Sequence, residues 1–330
     1  MSWNARELIG AVDDDFVDAV SQFLAEVEQR LVAAAQADTA FATEAAGHII
    51  SSGGKRFRPL LVVVASMLGE PKREDVVNAA VVAELTHVAS LYHDDVMDDA
   101  VLRRGAPSAN QRWGNMVAIL VGDLLFARMA SVLTDLDKPF AKVHSVTFNR
   151  LVQGQLRETV GPEPGADPVE HYLRVVSDKT GSLIAGSAVL GGMAAGLPEP
   201  MLSALAKFGE EIGVVFQLID DLIDIESETA GKTPGTDLRA GVRTLPTLLV
   251  RRCADPRDAR LLQLLDGELG SDEELAEALA LLRGHRCMEE AHDEIRRRAN
   301  LARSYLDPLP EGQARIGLAA LCDAVVTRSS

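Results

Sequence analysis

Between Asp15 and Ala37 the apolar residues Phe16, Val20, Phe23, Leu24, Val27 and Leu31 recur at helical intervals, which places them on one stripe of an amphipathic helix. The loop SSGGKRF breaks that stripe. Arg58 and Pro59 then open a second helix through LLVVVASML, because proline suits a first helical turn. The run Val62 to Val64 would also suit a strand, but no neighbouring segment of strand period could pair with it. Helical periods continue over 75–99, 111–136, 140–158, 167–196, 199–226 and 271–305. Glycine and proline mark loops at 105–109, 161–166, 229–235 and 307–312. No repeat of fixed period and no linker divides the chain. The pattern predicts an all-α protein, residues 1–330 as a single domain, built as one large antiparallel helical bundle.

Composition agrees with helices: the 330 residues are 47% hydrophobic and only 4% aromatic, with heavy use of alanine, leucine and valine. A formal net charge of -16 excludes bulk nucleic-acid binding, which needs a surplus of lysine and arginine. Any anion site must be local. Cys253, Cys287 and Cys322 lack the spacing of a disulfide framework or a zinc site. The start MSWNARELIGAVDDD has neither the basic end nor the apolar stretch of a signal peptide, so a cytoplasmic protein is expected. The uncharged run Ser182 to Pro198 is shorter than the ~20 residues of a bilayer-spanning helix and is read as a packed internal helix. No transmembrane segment is expected.

The chemistry concentrates in two aspartate triplets. In LYHDDVMDDA, Asp94, Asp95 and Asp98 close an apolar helix, and at ~100° per residue Asp94 and Asp98 stand ~40° apart. Carboxylates so placed repel one another and want a cation, and oxygen ligands suit magnesium. One such cluster is equally well read as a solvated face. The repeat of the spacing in FQLIDDLIDI, with Asp220, Asp221 and Asp224, favours two triplets facing a shared polar cavity and gripping one diphosphate through bridging metals.

In order along the chain, GGKRFRP, LYHDDVMDDAVLRRG, DKTGSL, FQLIDDLID and GKTPGTDL resemble the polyprenyl synthetase family of trans-isoprenyl diphosphate synthases, in particular its medium- and long-chain members. The resemblance implies an isoprenoid-synthase bundle around a deep central cavity. It implies a prenyltransferase that condenses isopentenyl diphosphate with an allylic diphosphate primer, repeatedly and in the trans configuration. The cofactor would be Mg2+, up to three ions with bound diphosphate. By the same resemblance Lys55, Arg58, His87 and Arg104 hold isopentenyl diphosphate, and Arg103 contacts the allylic diphosphate. His87 lies seven residues before Asp94, about two turns, and so on roughly the same face. Lys179, Thr180 and Gln217 match the positions that stabilise the carbocation, and Lys232 matches a diphosphate contact. The segment GVRTLP departs from the family pattern: Val242 stands where many members have lysine, with Arg243 beside it.

A growing tail would run along the helix bearing Asp94. Upstream of it stand Ser90, Ala89, Thr86, Ala83 and Val82, small or slender, with no phenylalanine or tyrosine among them. A product longer than farnesyl is expected, geranylgeranyl or beyond, with five to ten units by analogy. Ile119, Phe126 or a partner chain could set the floor. The resemblance also implies a homodimer. Three other readings compete: a terpene cyclase, which leaves GGKRFRP and the second triplet unexplained; a metal phosphohydrolase built on His93 and Asp94, which lacks further patterned ligands; and an inactive subunit of a heteromeric synthase, expected to have lost aspartates that are intact here.

Overall fold

The computed structural model describes residues 5–227, 234–253 and 255–326. These fold as two compact units. Of the described residues, the first comprises 5–149, 183–209 and 305–321, and the second 150–182, 210–227, 234–253, 255–304 and 322–326. Both are helical. Among the described residues the β-structure is one two-residue hairpin, Leu102–Arg103 against Ala106–Pro107.

In the first unit the helix Asp14–Ala34 begins at Asp13, whose carboxylate accepts from the Phe16 N–H at 2.9 Å, an N-cap satisfying one of the orphan donors. It buries the predicted stripe of Val17, Val20, Phe23, Val27 and Leu31. A helix not read from the pattern, Ala40–Ser51, follows. Phe57–Ser66 is a helix rather than a strand and is buried at Leu60 through Ala65. At the centre lies Arg73–Met97, whose residues 76–86 are all buried. A helix can be enclosed on every side when its side chains are small enough for neighbours to approach. Close packing recurs at Gly191 in Ser182–Ala194, where a Cβ would stand 2.2 Å from the Val62 carbonyl oxygen.

The segment read as one helix over 111–136 is two, Ala109–Trp113 and Asn115–Leu133, broken at Gly114 with φ 83°. Asn115–Leu133, not the run 182–198, is the one described helix long and apolar enough to cross a membrane, by length and composition alone. In this chain it leaves Met116 76% and Leu120 60% exposed while packing Val121 and Leu125 inward. Lys138–Val160 follows it.

In the second unit Pro168–Val176 opens at Asp167, whose side chain accepts from the Val169 N–H at 2.7 Å. A π-helical turn, Ser177–Gly181, joins it to Ser182–Ala194. The long helix Glu199–Glu226 carries the second aspartate triplet in its final turns. Residues 271–305 form two helices, Asp272–Arg283 and Arg286–Ser304. Ser271 caps the first by accepting from the Glu274 N–H at 3.1 Å, half of a capping box. The cysteines are unpaired thiols: Cys287 and Cys322 are buried, and Cys253 partly so.

Candidate active site

The basic loop of the first unit turns through Gly53 at φ 82°, Gly54 at 148° and Arg56 at 46°. Gly54 is constrained twice, because a Cβ there would also stand 2.8 Å from the Arg104 guanidinium carbon. Arg56, the basic residue given no role in the sequence reading, is structural. Its guanidinium donates to Glu84 at 3.0 Å, to Glu28 at 3.1 Å and to the Ile50 carbonyl at 2.8 Å, and Glu84 is 2% exposed. Arg104 donates to the Ile49 carbonyl at 2.9 Å and to the Gly53 carbonyl. Arg58 differs: its buried Nε has no hydrogen-bond partner, and burial pushes its pKa down to about 10, so it stays cationic at neutral pH.

These side chains converge on His87. Burial first, then Arg58, Arg104, Arg103 and Arg56, hold its pKa well below the usual imidazole range, so it is a neutral ring that can donate one hydrogen bond. A chain of net charge -16 thus sets four guanidiniums within electrostatic reach of one half-buried imidazole; Arg56 and Arg103 are paired to carboxylates, which leaves Arg58 and Arg104 as the cations of a local anion site. Lys55 belongs to the same loop. Glu84 partly offsets the positive field at both Arg58 and Arg104.

Two turns further along the same helix the triplet Asp94, Asp95 and Asp98 divides. Asp95 is fully buried; one oxygen accepts from Arg103 Nε at 2.7 Å and lies 2.6 Å from its Nη2, and the other has no partner. Burial raises its pKa, and Arg103 pulls it back. The hairpin supplies Arg103: its turn passes through Arg104 at φ 55° and Gly105 at 80°, the doubly positive geometry that matches strand twist. Asp94 is half-buried and Asp98 exposed, in the last turn of a helix with no basic residue there. Negative charge at a helix C-terminus opposes the macrodipole, which makes a cation the natural complement.

In the second unit the carboxylate of Asp221 is 3% exposed and fully engaged: Tyr172 donates its hydroxyl to one oxygen, and Gln217 donates to the other at 3.0 Å. Burial nevertheless raises its pKa to about 7. Thr180 donates to Gln217 at 3.4 Å, which completes a chain from the π-turn to the triplet. Asp224 accepts from the Thr236 N–H at 3.1 Å, the Thr236 hydroxyl at 2.6 Å and the Asp237 N–H at 3.0 Å, so it caps the short helix Thr236–Arg239. Asp220 is half-buried on the remaining face. Lys179 is ion-paired to Glu158. The turn that presents Lys179 and Thr180 is braced by Arg150, which donates to Asp178 at 2.9 Å, to Glu210 at 2.8 and 3.1 Å, and to Ser177 at 3.1 Å. A Cβ on Gly154 would lie 2.5 Å from the Lys179 backbone nitrogen, so Gly154 lets the Lys138–Val160 helix approach that turn.

Among the described residues no three His, Cys, Asp or Glu side chains converge into a cage for a metal. The donor set still fits magnesium, which binds through one or two carboxylates and completes its shell with water and substrate phosphate. The orphaned Asp95 oxygen and the Asp94 and Asp98 carboxylates at a helix C-terminus are the features that ask for a cation.

Several contributors were invisible in the sequence reading. Tyr172, Arg150, Glu210 and Asp237 act through partners that no local spacing reveals. Asp237 sits in the quoted GKTPGTDL, and its pKa, pushed up to about 6 by burial and then by Asp224 and Asp220, marks it as part of the acidic site. Lys232 lies outside the described residues. Val242 and Arg243 are both exposed, with the Val242 N–H donating to Asp237 at 2.8 Å. His93 turns its ring to the Asn115–Leu133 helix, bonding the Ile119 carbonyl at 3.2 Å, which takes away the histidine that the phosphohydrolase reading needs. Of the tail residues, Val82, Ala83, Thr86 and Ala89 are fully buried and Ser90 partly exposed.

An all-helical chain with acidic triplets on two helices and a guanidinium-based anion site is the make-up of an enzyme that handles diphosphates. Comparison with known proteins makes the class specific. The polyprenyl synthetase family model matches residues 39–282, and the chain belongs to that family. It is 44% identical to the nonaprenyl diphosphate synthase of Mycobacterium tuberculosis over 319 residues, 96% of this chain and 95% of the relative. A crystal structure of geranylgeranyl pyrophosphate synthase from Corynebacterium glutamicum, complexed with calcium and isoprenyl diphosphate, superposes with TM-score 0.87 at 42% identity, covering 96% of this chain and 98% of that one. A decaprenyl diphosphate synthase from Rhodobacter capsulatus does so with TM-score 0.87 at 31% identity, covering 96% and 99%. The all-α fold is that of the isoprenoid synthases, and the chain is a prenyltransferase.

Proposed function

We propose that this enzyme condenses isopentenyl diphosphate with an allylic diphosphate, in trans and repeatedly, to a prenyl diphosphate longer than farnesyl. The observation that carries this reading is the basic loop that brings the unpartnered, buried Arg58 and the Arg104 guanidinium into electrostatic reach of His87, two turns along the helix from Asp94, in an otherwise acidic chain. Relatives whose names record nonaprenyl, heptaprenyl and octaprenyl products support the chain length.

Isopentenyl diphosphate docks at Lys55, Arg58, His87 and Arg104, where Arg58 carries unspent donor capacity and His87 donates without adding charge. Arg103, oriented by Asp95, meets the allylic diphosphate. Asp94, Asp98 and Asp220, with the unpartnered oxygen of Asp95, are the carboxylates that would hold Mg2+, while Asp95 through its other oxygen, Asp221 and Asp224 orient their neighbours. Bound magnesium would neutralise the departing pyrophosphate and so ease cleavage of the allylic carbon–oxygen bond. Thr180, Gln217 and the backbone carbonyl of Lys179 offer oxygen to the cation that cleavage leaves, and Lys232 adds a diphosphate contact. The isopentenyl double bond attacks the cation to form the new carbon–carbon bond, and the proton lost from the adduct goes to the departing pyrophosphate, so no side-chain nucleophile takes part. Orientation of the isopentenyl double bond against the allylic carbon supplies much of the acceleration.

The exposed Met116, Ile119, Leu120 and Val146 form an apolar surface that a second copy of the chain would cover, giving a cytoplasmic homodimer. Purified protein with labelled isopentenyl diphosphate, an allylic primer and Mg2+ should yield acid-labile prenyl products, abolished by chelation. Absence of incorporation with every primer from dimethylallyl to geranylgeranyl would remove the reading. Light scattering should give twice the chain mass.

A further inference from the structure

On the helix Arg73–Met97, Tyr92 and Asp95 stand three residues apart, neighbours on one side of the helix, and both are 0% exposed. Asp95 holds Arg103 directly. Tyr92 reaches a different partner, the helix Ala40–Ser51.

A buried phenol must bond. The Tyr92 hydroxyl donates to the Ala45 carbonyl at 2.5 Å, with the Ala46 carbonyl 3.3 Å away, and accepts from the Ile49 N–H at 3.3 Å. Ala45 and Ile49 are i and i+4, so the hydroxyl engages both halves of a single rung of the Ala40–Ser51 helix. Burial first of all holds its pKa up at about 12, so the donated proton stays in place at neutral pH. The buried face of that helix is otherwise Ala45, Ala46, Ile49 and Ile50, apolar side chains whose packing has no direction of its own. The hydroxyl supplies one.

The last turn of Ala40–Ser51 is where the cation site is fastened. The chain leaves this helix through Gly53, whose N–H goes to the Ile50 carbonyl, and the Ile49 carbonyl accepts from Arg104 at 2.9 Å. Arg104 also donates to the Gly53 carbonyl, and both bonds leave from Nη1, which orients the fork and leaves its other nitrogens for phosphate oxygen. His48 of the same turn donates from Nε2 to the Pro107 carbonyl at 2.8 Å, on the second strand of the hairpin that carries Arg103. The residue whose N–H the hydroxyl fixes is thus the residue whose carbonyl holds Arg104.

We infer that Tyr92 is a positioning residue for the isopentenyl diphosphate site: its hydroxyl sets the Ala40–Ser51 helix against the Asp94 helix in the register that places the Arg104 guanidinium. This rests on the prenyltransferase reading above and deepens it. One buried face of one helix then sets two successive arginines, Arg103 through Asp95 and Arg104 through Tyr92 and Ile49. The two routes can be told apart, because each arginine is assigned to a different diphosphate.

Tyr92→Phe removes the hydroxyl and keeps the ring. The Ala45 carbonyl and the Ile49 N–H remain partners for each other, so no buried polar group is stranded and the variant should fold. Steady-state kinetics with each substrate varied should show the KM for isopentenyl diphosphate raised about 5- to 20-fold, with the primer KM within about twofold and kcat within about threefold of the natural enzyme. A purely structural loss would instead lower the active fraction, and so the apparent kcat, with both KM values unmoved. In an Arg104→Lys background the same Tyr92→Phe change should add less than about twofold to that KM, since effects that act through one group do not multiply. An unmoved isopentenyl diphosphate KM in Tyr92→Phe, or fold-changes that multiply in the double variant, would overturn the assignment. So would a Tyr92→Phe protein that does not fold, because the closed rung predicts one that does. Failure of the natural enzyme to incorporate any label would instead fell the prenyltransferase reading itself, and the role of Tyr92 with it.

Discussion

Asp221 is held in an acidic site with its pKa raised to about 7 from an ordinary 3.8, chiefly by burial. Replacing it by asparagine keeps the shape and, with the Tyr172 hydroxyl rotated, keeps both hydrogen bonds, but removes the ionisable group. A carboxyl whose folded pKa lies above its unfolded value stabilises the fold fully below about pH 4 and loses that contribution as pH rises through about 7. Without metal, the natural protein therefore carries a growing cost that Asp221→Asn escapes. At ~1.4 kcal/mol per unit the relief is about 1.5 kcal/mol at pH 5 and about 4 kcal/mol at pH 8. An unfolding entropy near 2 cal/mol/K per residue makes that roughly 2 °C and 6 °C in Tm for this chain. The assay is thermal unfolding of both proteins in chelator, at pH 5 and pH 8. A variant melting at or below the natural protein at pH 8 would refute the claim that the ionised Asp221 is a burden in the metal-free enzyme.

Three further perturbations follow from the same geometry. Tyr172→Phe deletes a hydrogen bond that lowers the Asp221 pKa, so the acid limb of the kcat profile should move to higher pH; a limb that stays put would separate Asp221 from that limb. Gly54→Ala pushes a Cβ into the Arg104 guanidinium at a strained φ, and displacing that cation should raise the KM for isopentenyl diphosphate about 10- to 100-fold with a smaller effect on the primer, as steady-state kinetics with each substrate varied would show. Arg56→Ala strands Glu84 at 2% exposure, at a cost of about 3–5 kcal/mol, and Tm should fall by several degrees and recover in part when Glu84→Gln is added.

The sequence made the long helices legible because their periodic faces are strong: Val17, Val20, Phe23, Val27 and Leu31 are buried as the pattern requires. It hid Ala40–Ser51, whose buried face includes Ala45 and Ala46 and so contrasts weakly with its surroundings. It also ran pairs of helices together at Gly114 and at Gly284, since a single glycine is tolerated inside a helical pattern and does not by itself announce a break. The metal-seeking triplets and the basic loop could be read from spacing, but their internal roles could not. Arg56 is one position from Lys55 and two from Arg58, and only its contacts with Glu28, Glu84 and Ile50 make it a strut rather than a substrate contact. Arg150 reaches Glu210 across 60 positions of sequence, a separation over which no helical period carries information.

The two triplets share more than a spacing. In each, the second aspartate lies ~100° around the helix from the first, which turns it from the exposed face into the packing. Asp95 is 0% and Asp221 3% exposed, and each is bonded to a residue assigned to substrate chemistry: Arg103 in one case, Gln217 in the other. A buried carboxylate is expensive unless it is bonded, and the oxygens that are bonded, one on Asp95 and both on Asp221, fix their partners' rotamers in return. The middle aspartate thus converts an expensive burial into a rigid orientation for the group it holds, while its neighbour at the start of each triplet keeps an oxygen-rich face for a cation. The third position then differs by circumstance. Asp98 ends its helix in solvent, whereas Asp224 is drawn onto the N–H groups of Thr236 and Asp237 and anchors the segment that brings Asp237 into the acidic site. One motif therefore encodes a ligand position, an orienting position and a position whose role is set by the loop that follows, which is why equal spacing in the sequence yields unequal chemistry in the fold.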